Sequence, residues 1–304
     1  MPMKPQILLS SDPGIDDALA IVFLSKLNSL KAIWTTMGNT TLENTTNNAM
    51  RLLNILDQRQ IPIIKGGVEP LSGPINFTAD IHGSDGLGNS FLPLPDLSQF
   101  SWKTLDFISA SLTENPHEIT LVSVGPLTNL ALLFQKVPQK IISLFKDIII
   151  MGGAVTVPGN ITPYAEFNIY CDPKAAKIVF SNGCPLTLVG LDVTHKAIMT
   201  EEHIRLLEAK PTPLTKFLVH IVRFYSEFHK DLHGCYLHDP LAAAVALDAS
   251  LVKRKTYGLD ILMEDPLRRG QTIMIKDSKS TNISVCLELN VKKFLKFFMD
   301  ALLK

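Results

Sequence analysis

The residues best equipped for chemistry come early in the chain. The run Ser11-Asp12-Pro13-Gly14-Ile15-Asp16-Asp17 sets three carboxylates directly after a short apolar stretch, residues 7–9. Pro13-Gly14 makes a sharp turn that brings Asp12 back towards the segment that follows. If that segment is a helix, its free N–H groups and positive dipole end help to hold carboxylates. Three close carboxylates repel one another and stay ionised together only when something positive sits among them. A hard divalent cation with oxygen ligands meets that need. One Asp at such a junction reads as a helix cap; DPGxDD after a buried strand reads as part of a metal site. Calcium takes about six to eight oxygen ligands, so other segments must complete the shell.

Two later segments carry matching groups. In His238-Asp239-Pro240, Asp239 can complete a metal shell and His238 can donate a proton beside it, although Asp-Pro is also a common helix start. After the apolar run 148–151, Gly152-Gly153 allows close backbone approach. The polar, irregular run Pro158-Gly159-Asn160-Ile161-Thr162-Pro163-Tyr164-Ala165-Glu166-Phe167-Asn168 comes next. Amides and a carboxylate with no cation among them suit hydrogen bonding to a polyhydroxylated ligand. Without the acidic cluster this stretch would read as an ordinary surface loop.

Apolar runs at 7–9, 32–36, 61–64, 119–124, 148–151 and 186–189 alternate with helical spacing at 16–27, 44–56, 107–112, 127–134 and 173–180. Continuous rather than alternating hydrophobicity in the strands means that both faces are covered. The pattern predicts an α/β fold with a mainly parallel open sheet, helices on both faces and right-handed crossovers. Such sheets bind ligands at the carboxyl ends of their strands, which here are residues 10–17, 37–40, 124–129, 151–168 and 191–194. The last hundred residues differ. They predict helices at 213–229 and 240–247 and strands at 256–263 and 272–275 joined through 265–270. An amphipathic helix at 291–303 carries Phe294, Phe297 and Phe298. Its few lysines form no broad basic face, so it is expected to pack on the sheet or on a neighbouring subunit rather than on a membrane surface. With no repeat and no low-complexity linker, residues 1–304 are read as one domain.

Composition narrows the partners. Lys+Arg and Asp+Glu are both 29, giving a formal net charge of zero. A neutral chain without a basic run is poorly suited to nucleic acid or anionic membranes, and near-zero charge favours self-association. No apolar stretch approaches the ~20 residues of a membrane span, and the N-terminal apolar run is too short for a signal-peptide core. The four cysteines form no CxxC pair, as expected of reduced thiols in a cytoplasmic protein. Cys171 and Cys235, beside the motifs, are read as bystanders.

Taken together and in order, the motifs resemble those of the inosine–uridine-preferring nucleoside hydrolases. They are Asp12-Pro13-Gly14-Ile15-Asp16-Asp17-Ala18, Gly38-Asn39, His82-Gly83, Gly125-Pro126-Leu127-Thr128-Asn129, Met151-Gly152-Gly153, Ala165-Glu166-Phe167-Asn168 and His238-Asp239. The resemblance runs from the first strand to the C-terminal helix. It implies hydrolysis of the N-glycosidic bond of purine or pyrimidine ribonucleosides, for salvage or catabolism. It implies Ca2+ held by Asp12, Asp17, Asp239 and the main-chain carbonyl of Val124, with a calcium-bound water as nucleophile and Asp12 as its base. Asp16 and Asn39 would bind the 2′- and 3′-hydroxyls with Asn168 nearby. Asn160 and Glu166 would hold the 5′-hydroxyl, and Met151 would line the sugar pocket. His238, with His82, would assist the departing base. A homodimer or homotetramer is also implied. Positive charge builds on the sugar as the bond breaks, and carboxylates around the ribose would stabilise it.

The chain departs from the family opening Asp-Thr-Asp-Pro-Gly by having Ser10-Ser11-Asp12. Activity is expected to survive, with altered hydrogen bonding behind the ligands. The base pocket is expected from residues 76–92 and 224–237, with His82, Tyr225, His229 and Tyr236 as candidates. Two rival readings are a calcium-binding relative without hydrolase activity and a phosphotransferase with a nucleophilic Asp. Retention of His238, Glu166 and Asn168 argues against the first. The second needs Asp-x-Asp at the strand end, and the chain also lacks a Gly-Lys-Ser/Thr phosphate loop.

Overall fold

The computed structural model describes residues 5–74, 77–228, 230–275 and 282–304. Residues 1–4, residue 76 and the candidate His229 lie outside the described residues. In chain order the strands are β1 (Gln6–Ser11), β2 (Leu30–Thr35), β3 (Ile63–Lys65), β4 (Trp102–Lys103), β5 (Ile119–Ser123), β6 (Asp147–Met151), β7 (Leu186–Val189), β8 (Ile198–Thr200), β9 (Gly234–Tyr236), β10 (Val252–Ile261), β11 (Thr272–Ile275) and β12 (Asn282–Leu289). The α-helices are α1 (Ile15–Lys26), α2 (Leu42–Ile55), α3 (Ala79–His82), α4 (Asp106–Glu114), α5 (Thr128–Lys136), α6 (Gln139–Ile142), α7 (Phe167–Cys171), α8 (Pro173–Phe180), α9 (Leu191–Thr194), α10 (Glu201–Glu208), α11 (Pro213–Phe228), α12 (His238–Leu247) and α13 (Val291–Leu302).

One sheet runs β11-β10-β12-β7-β6-β5-β1-β2-β3-β4. From β12 to β4 every neighbouring pair is parallel; β10 is antiparallel to both its neighbours. The expected parallel α/β architecture is therefore present. From β1 the chain builds outward to β2 and β3 on one side, then returns to β5, β6 and β7 on the other. A crevice opens at such a reversal, outside the carboxyl end of the strand where it occurs. Register makes the strand ends level there: Ser11 pairs with Thr35, and Ser10 with Ser123. Asp12, Thr36 and Val124 thus leave the sheet side by side.

Strand alternation divides the core. Ile7 and Leu9 belong to one buried cluster with α1, α12 and α13, while Leu8 joins another with α4, α5 and α8. Every residue of α1 from Ile15 to Ser25 is buried, and so is α12 from His238 to Val245. Helices apolar on every side belong inside a protein. These two pack against each other, and each carries acids only in its first turn.

α13 docks on α1. Phe294 and Phe298 are buried, and the ring of Phe23 lies 5.2 Å from Phe297 and 5.5 Å from Phe298. Interior packing thus absorbs its apolar face, and among the described residues no helix is long and apolar enough to cross a membrane. The strands expected at 256–263 and 272–275 are β10 and β11, which pair antiparallel, with β10 starting earlier, at Val252. The reading missed β12, which sits inside the sheet between β7 and β10. Its polar residues Ser284 and Glu288 interrupt the apolar run that marks a strand covered on both faces. It also missed α10, β4 and the small β8–β9 ribbon.

Phe298→Ala should cost about 3–5 kcal/mol, the range for truncating a buried aromatic. Urea denaturation checks it, and a loss below about 1 kcal/mol would mean α13 is not part of the cooperative unit.

Candidate active site

Asp12 emerges from β1 between two glycines. A Cβ at Gly38 would stand 2.0 Å from Asp12 Oδ2, and one at Gly125 would stand 2.3 Å from Asp12 Oδ1. Neither position tolerates a side chain while the carboxylate stays where it is. The Asn39 N–H donates to Asp12 Oδ2 at 2.7 Å. Asp12 Oδ1 is buried and has no hydrogen-bond partner among the described residues.

Asp17 is held from several directions. Its oxygens accept from Ser11 Oγ (2.6 Å), Asp12 N (3.2 Å), Gly14 N (3.0 Å) and Asn39 Nδ2 (3.0 Å). The turn therefore closes on the helix start through Asp17, and Gly14 serves as the N-cap of α1. Because α12 packs beside α1, Asp239 arrives from its own helix start. Ligand oxygens of Asp16, Asp17 and Asp239 lie within 4.8 Å of one another. Of the expected metal ligands Asp12, Asp17 and Asp239, the last two stand in this group, which also includes Asp16.

Burial raises the pKa of all four carboxyl groups. Asp16 is pushed to about 8 by burial and then by Asp17. Asp12 is raised by burial, then Asp17, and Asp239 by burial, then Asp16 and Asp17. Asp17 is raised by burial against the pull of Ser11 and the turn N–H groups. Uncompensated carboxylates protonate rather than stay charged in such a place. An acceptor-only oxygen left bare at Asp12 and three converging carboxylates are a donor set that fits a hard divalent cation. The chain thus carries a buried acidic cluster able to bind a metal ion.

A cleft of about 210 Å3 adjoins the cluster. Asp16, Asn39, His82, Val124, Met151, Asn160, Glu166, Asn168, His238 and Asp239 all line it, as do Tyr225 and Tyr236. Asp12 and Asp17 are almost wholly covered, 1% and 0% exposed. None of the described residues lining the cleft is Lys or Arg. Asn168 Nδ2 donates to the carbonyls of Val124 (2.8 Å) and Met151 (3.3 Å), tying the ends of β5 and β6 to α7. Glu166 caps α7. Its carboxylate accepts from the N–H groups of Asn168, Ile169 and Gly153; burial raises its pKa against the pull of these donors. Asn160 Oδ1 accepts from Phe167 N.

Aromatic rings form the rest of the wall. His82 stacks on Tyr225, centroids 5.7 Å apart. The Ile15 N–H donates to His82 Nδ1 (3.0 Å), which places the neutral ring's proton on Nε2. His238 Nδ1 is 2.8 Å from Thr194 Oγ1. Its ring lies 5.2 Å from Tyr236 and 5.8 Å from His195. His195, directly after the strand-end segment 191–194, lines the cleft and was missed, whereas Phe228 lies within the expected segment 224–237. At the departure from the family opening, Ser10 Oγ accepts from Asn129 Nδ2 (3.1 Å), a neutral contact at the strand end. Cys171 and Cys235 are buried free thiols whose pKa values burial raises, away from reactive thiolate.

A family model described as inosine-uridine preferring nucleoside hydrolase matches residues 7–296. The chain belongs to that family. It is an N-glycosyl hydrolase that acts on ribonucleosides. This nucleoside hydrolase is 36% identical over 310 residues to the pyrimidine-specific ribonucleoside hydrolase RihA of Shewanella sp. (strain MR-4), covering 99% of this chain and 96% of the relative. Its structure is similar to that of the purine-preferring ribonucleoside hydrolase from Gardnerella vaginalis, with TM-score 0.91, 31% identity and 98% of each chain covered. It is also similar to the plant nucleoside hydrolase PpNRh1, with TM-score 0.90, 30% identity and 99% of each chain covered.

The raised carboxyl pKa values fix a sign. The folded state binds more protons than the unfolded one between the ordinary carboxylate value of 3.8 and the value of about 8 at Asp16. Stability of the metal-free enzyme should therefore fall as pH rises through that window. A divalent cation needs the deprotonated ligands and should raise the melting midpoint more at about pH 8 than at about pH 5. Calorimetry with chelator or calcium checks this; identical midpoints at the higher pH would remove the metal site.

Proposed function

We propose that residues 1–304 act as one calcium-dependent ribonucleoside hydrolase unit, with pyrimidine ribonucleosides such as uridine and cytidine preferred over inosine. The observation that carries the reading is the bare, buried Oδ1 of Asp12 beside three converging carboxylates, at the foot of a cleft walled by histidine and tyrosine rings. The pyrimidine preference is taken from the relative at 36% identity.

Asp12, Asp17, Asp239 and the Val124 carbonyl would hold the calcium ion, whose chemistry when bound is to fix the ribose diol and acidify the attacking water. The Val124 carbonyl already accepts from Asn168, and a carbonyl oxygen has a second lone pair for another partner. In the reaction the bond from C1′ to the base nitrogen breaks and a bond from C1′ to the water oxygen forms. Asp12 takes one proton of that water, with Asn39 N–H fixing its other oxygen. Asp16 and Asn39 hold the 2′- and 3′-hydroxyls with Asn168, while Asn160 and Glu166 take the 5′-hydroxyl beside Met151. The anionic lining stabilises positive charge on the ribose. His238 and His82 deliver a proton to the leaving base; general acids of this kind contribute roughly 10²–10⁴-fold. A cytoplasmic homodimer or homotetramer, without nucleic-acid or membrane partners, completes the reading.

A panel of uridine, cytidine and inosine, read as free ribose, tests it. Asp12→Ala should abolish turnover of every substrate. His238→Ala should lose activity by a factor that depends on the base, because leaving groups differ in their need for protonation. Wild-type activity of Asp12→Ala would overturn the mechanism, and a preference for inosine would overturn the substrate assignment.

A further inference from the structure

Asn48 lies on α2, fully buried, and is not among the residues that line the cleft. Asn is a poor residue for a helix interior unless its side chain has a specific partner. Here every amide function is used. Nδ2 donates to the carbonyl of Pro13 at 3.0 Å and to the carbonyl of Asp85 at 2.8 Å. Oδ1 accepts from Arg51 Nη1 at 2.9 Å. Arg51 can only donate, so it fixes the amide with both N–H bonds towards the two carbonyls.

Those carbonyls belong to opposite sides of the site. Pro13 follows Asp12 in the acidic turn, and Asp85 lies shortly after His82. The stretch from His82 onwards is a preformed unit. Gly83 and Gly86 have φ of 80° and 78°, a conformation natural to glycine. The Asp85 carboxylate gathers the N–H groups of Leu87 (2.8 Å), Asn89 (2.9 Å) and Phe91 (2.8 Å). Gly88 N closes the unit on the His82 carbonyl at 2.7 Å. A unit this rigid is placed as a whole by whatever grips it. Asn48 grips it at Asp85, and a Cβ on Gly86 would stand 2.8 Å from Asn48 Nδ2. The His82 ring then meets the acidic turn through Ile15 N–H.

We infer that Asn48 is a positioning residue: it locks the His82 unit to the acidic turn and so sets the distance between the sugar-holding carboxylates and the imidazole that serves the departing base. The inference rests on the reading of His82 as an aid to base departure. It predicts a defect confined to substrates whose leaving group needs a proton.

The experiment measures kcat and KM for uridine, inosine and 4-nitrophenyl β-D-ribofuranoside, whose leaving group departs without protonation. Wild type, Asn48→Ala, His82→Ala and the double variant are compared. Asn48→Ala should lower kcat on the nucleosides by roughly ten- to a hundredfold, the scale of a misplaced catalytic group. The nitrophenyl riboside should fall by less than about threefold, because the carboxylate side is intact. The double variant should match His82→Ala, since Asn48 acts through that ring. Equal losses on all three substrates, or additive losses in the double variant, overturn the inference. A base-dependent loss in His82→Ala with none in Asn48→Ala overturns it alone. Wild-type behaviour of His82→Ala overturns the reading of His82 and this inference with it. If Asn48→Ala does not fold, Asp85→Ala loosens the same unit from a half-buried position, and the same comparisons decide.

Discussion

Burying several carboxyl groups within reach of one another is the constraint on which the rest of this structure turns. Asp12, Asp16, Asp17 and Asp239 are all covered, and each raises the electrostatic cost of the others. The fold meets that cost locally with dipoles and donors. Two helices begin at the cluster, and their positive ends favour anions. Four donors converge on Asp17 alone. What remains uncompensated is the space around Asp12 Oδ1, and a cation supplies what the protein withholds. The architecture follows from this. α1 and α12 must be apolar on all sides so that their acidic first turns lie deep in the molecule, and the strand order must reverse at β1 so that a cleft opens above them.

Much of this was legible in the sequence because the informative residues are local. Asp12-Pro13-Gly14 and Asp16-Asp17 fit within one turn and one helix start, so their proximity needs no tertiary knowledge. The unbroken apolar runs of β1, β5 and β6 announce strands covered on both faces. The distances among the carboxylates were not legible. The backbone path through Pro13 and Gly14 turns Asp12 towards Gly38 and Gly125, while α1 presents Asp16 and Asp17 to Asp239. The meeting of Asp16, Asp17 and Asp239 follows from the packing of α12 on α1 and not from spacing along the chain. β12 escaped because Ser284 and Glu288 break its apolar run and its partner β7 is remote in sequence. His195 escaped because nothing local distinguishes it from a surface histidine; only α9 and β9 together bring it against Tyr236, 4.8 Å away.

The two sides of the cleft are built differently. One side is made of strand ends and helix starts, where the main chain is fixed and the side chains are short. The other carries the rings of His82, His195, Tyr225, Tyr236 and His238.

The central place of β1 also shapes how the chain acquires its structure. β1 pairs early with β2, which is close in sequence, but its other edge waits for β5, where Gln6 meets Ile119. Until then this central strand of the sheet has one side unpaired. Such non-local closure is slow, and an open apolar edge is a template for pairing with another chain. Changes that delay the arrival of β5 should therefore show themselves as insoluble protein before they show themselves as a slow enzyme. Conditions that favour the finished carboxylate cluster, a divalent cation among them, should therefore raise the yield of folded protein.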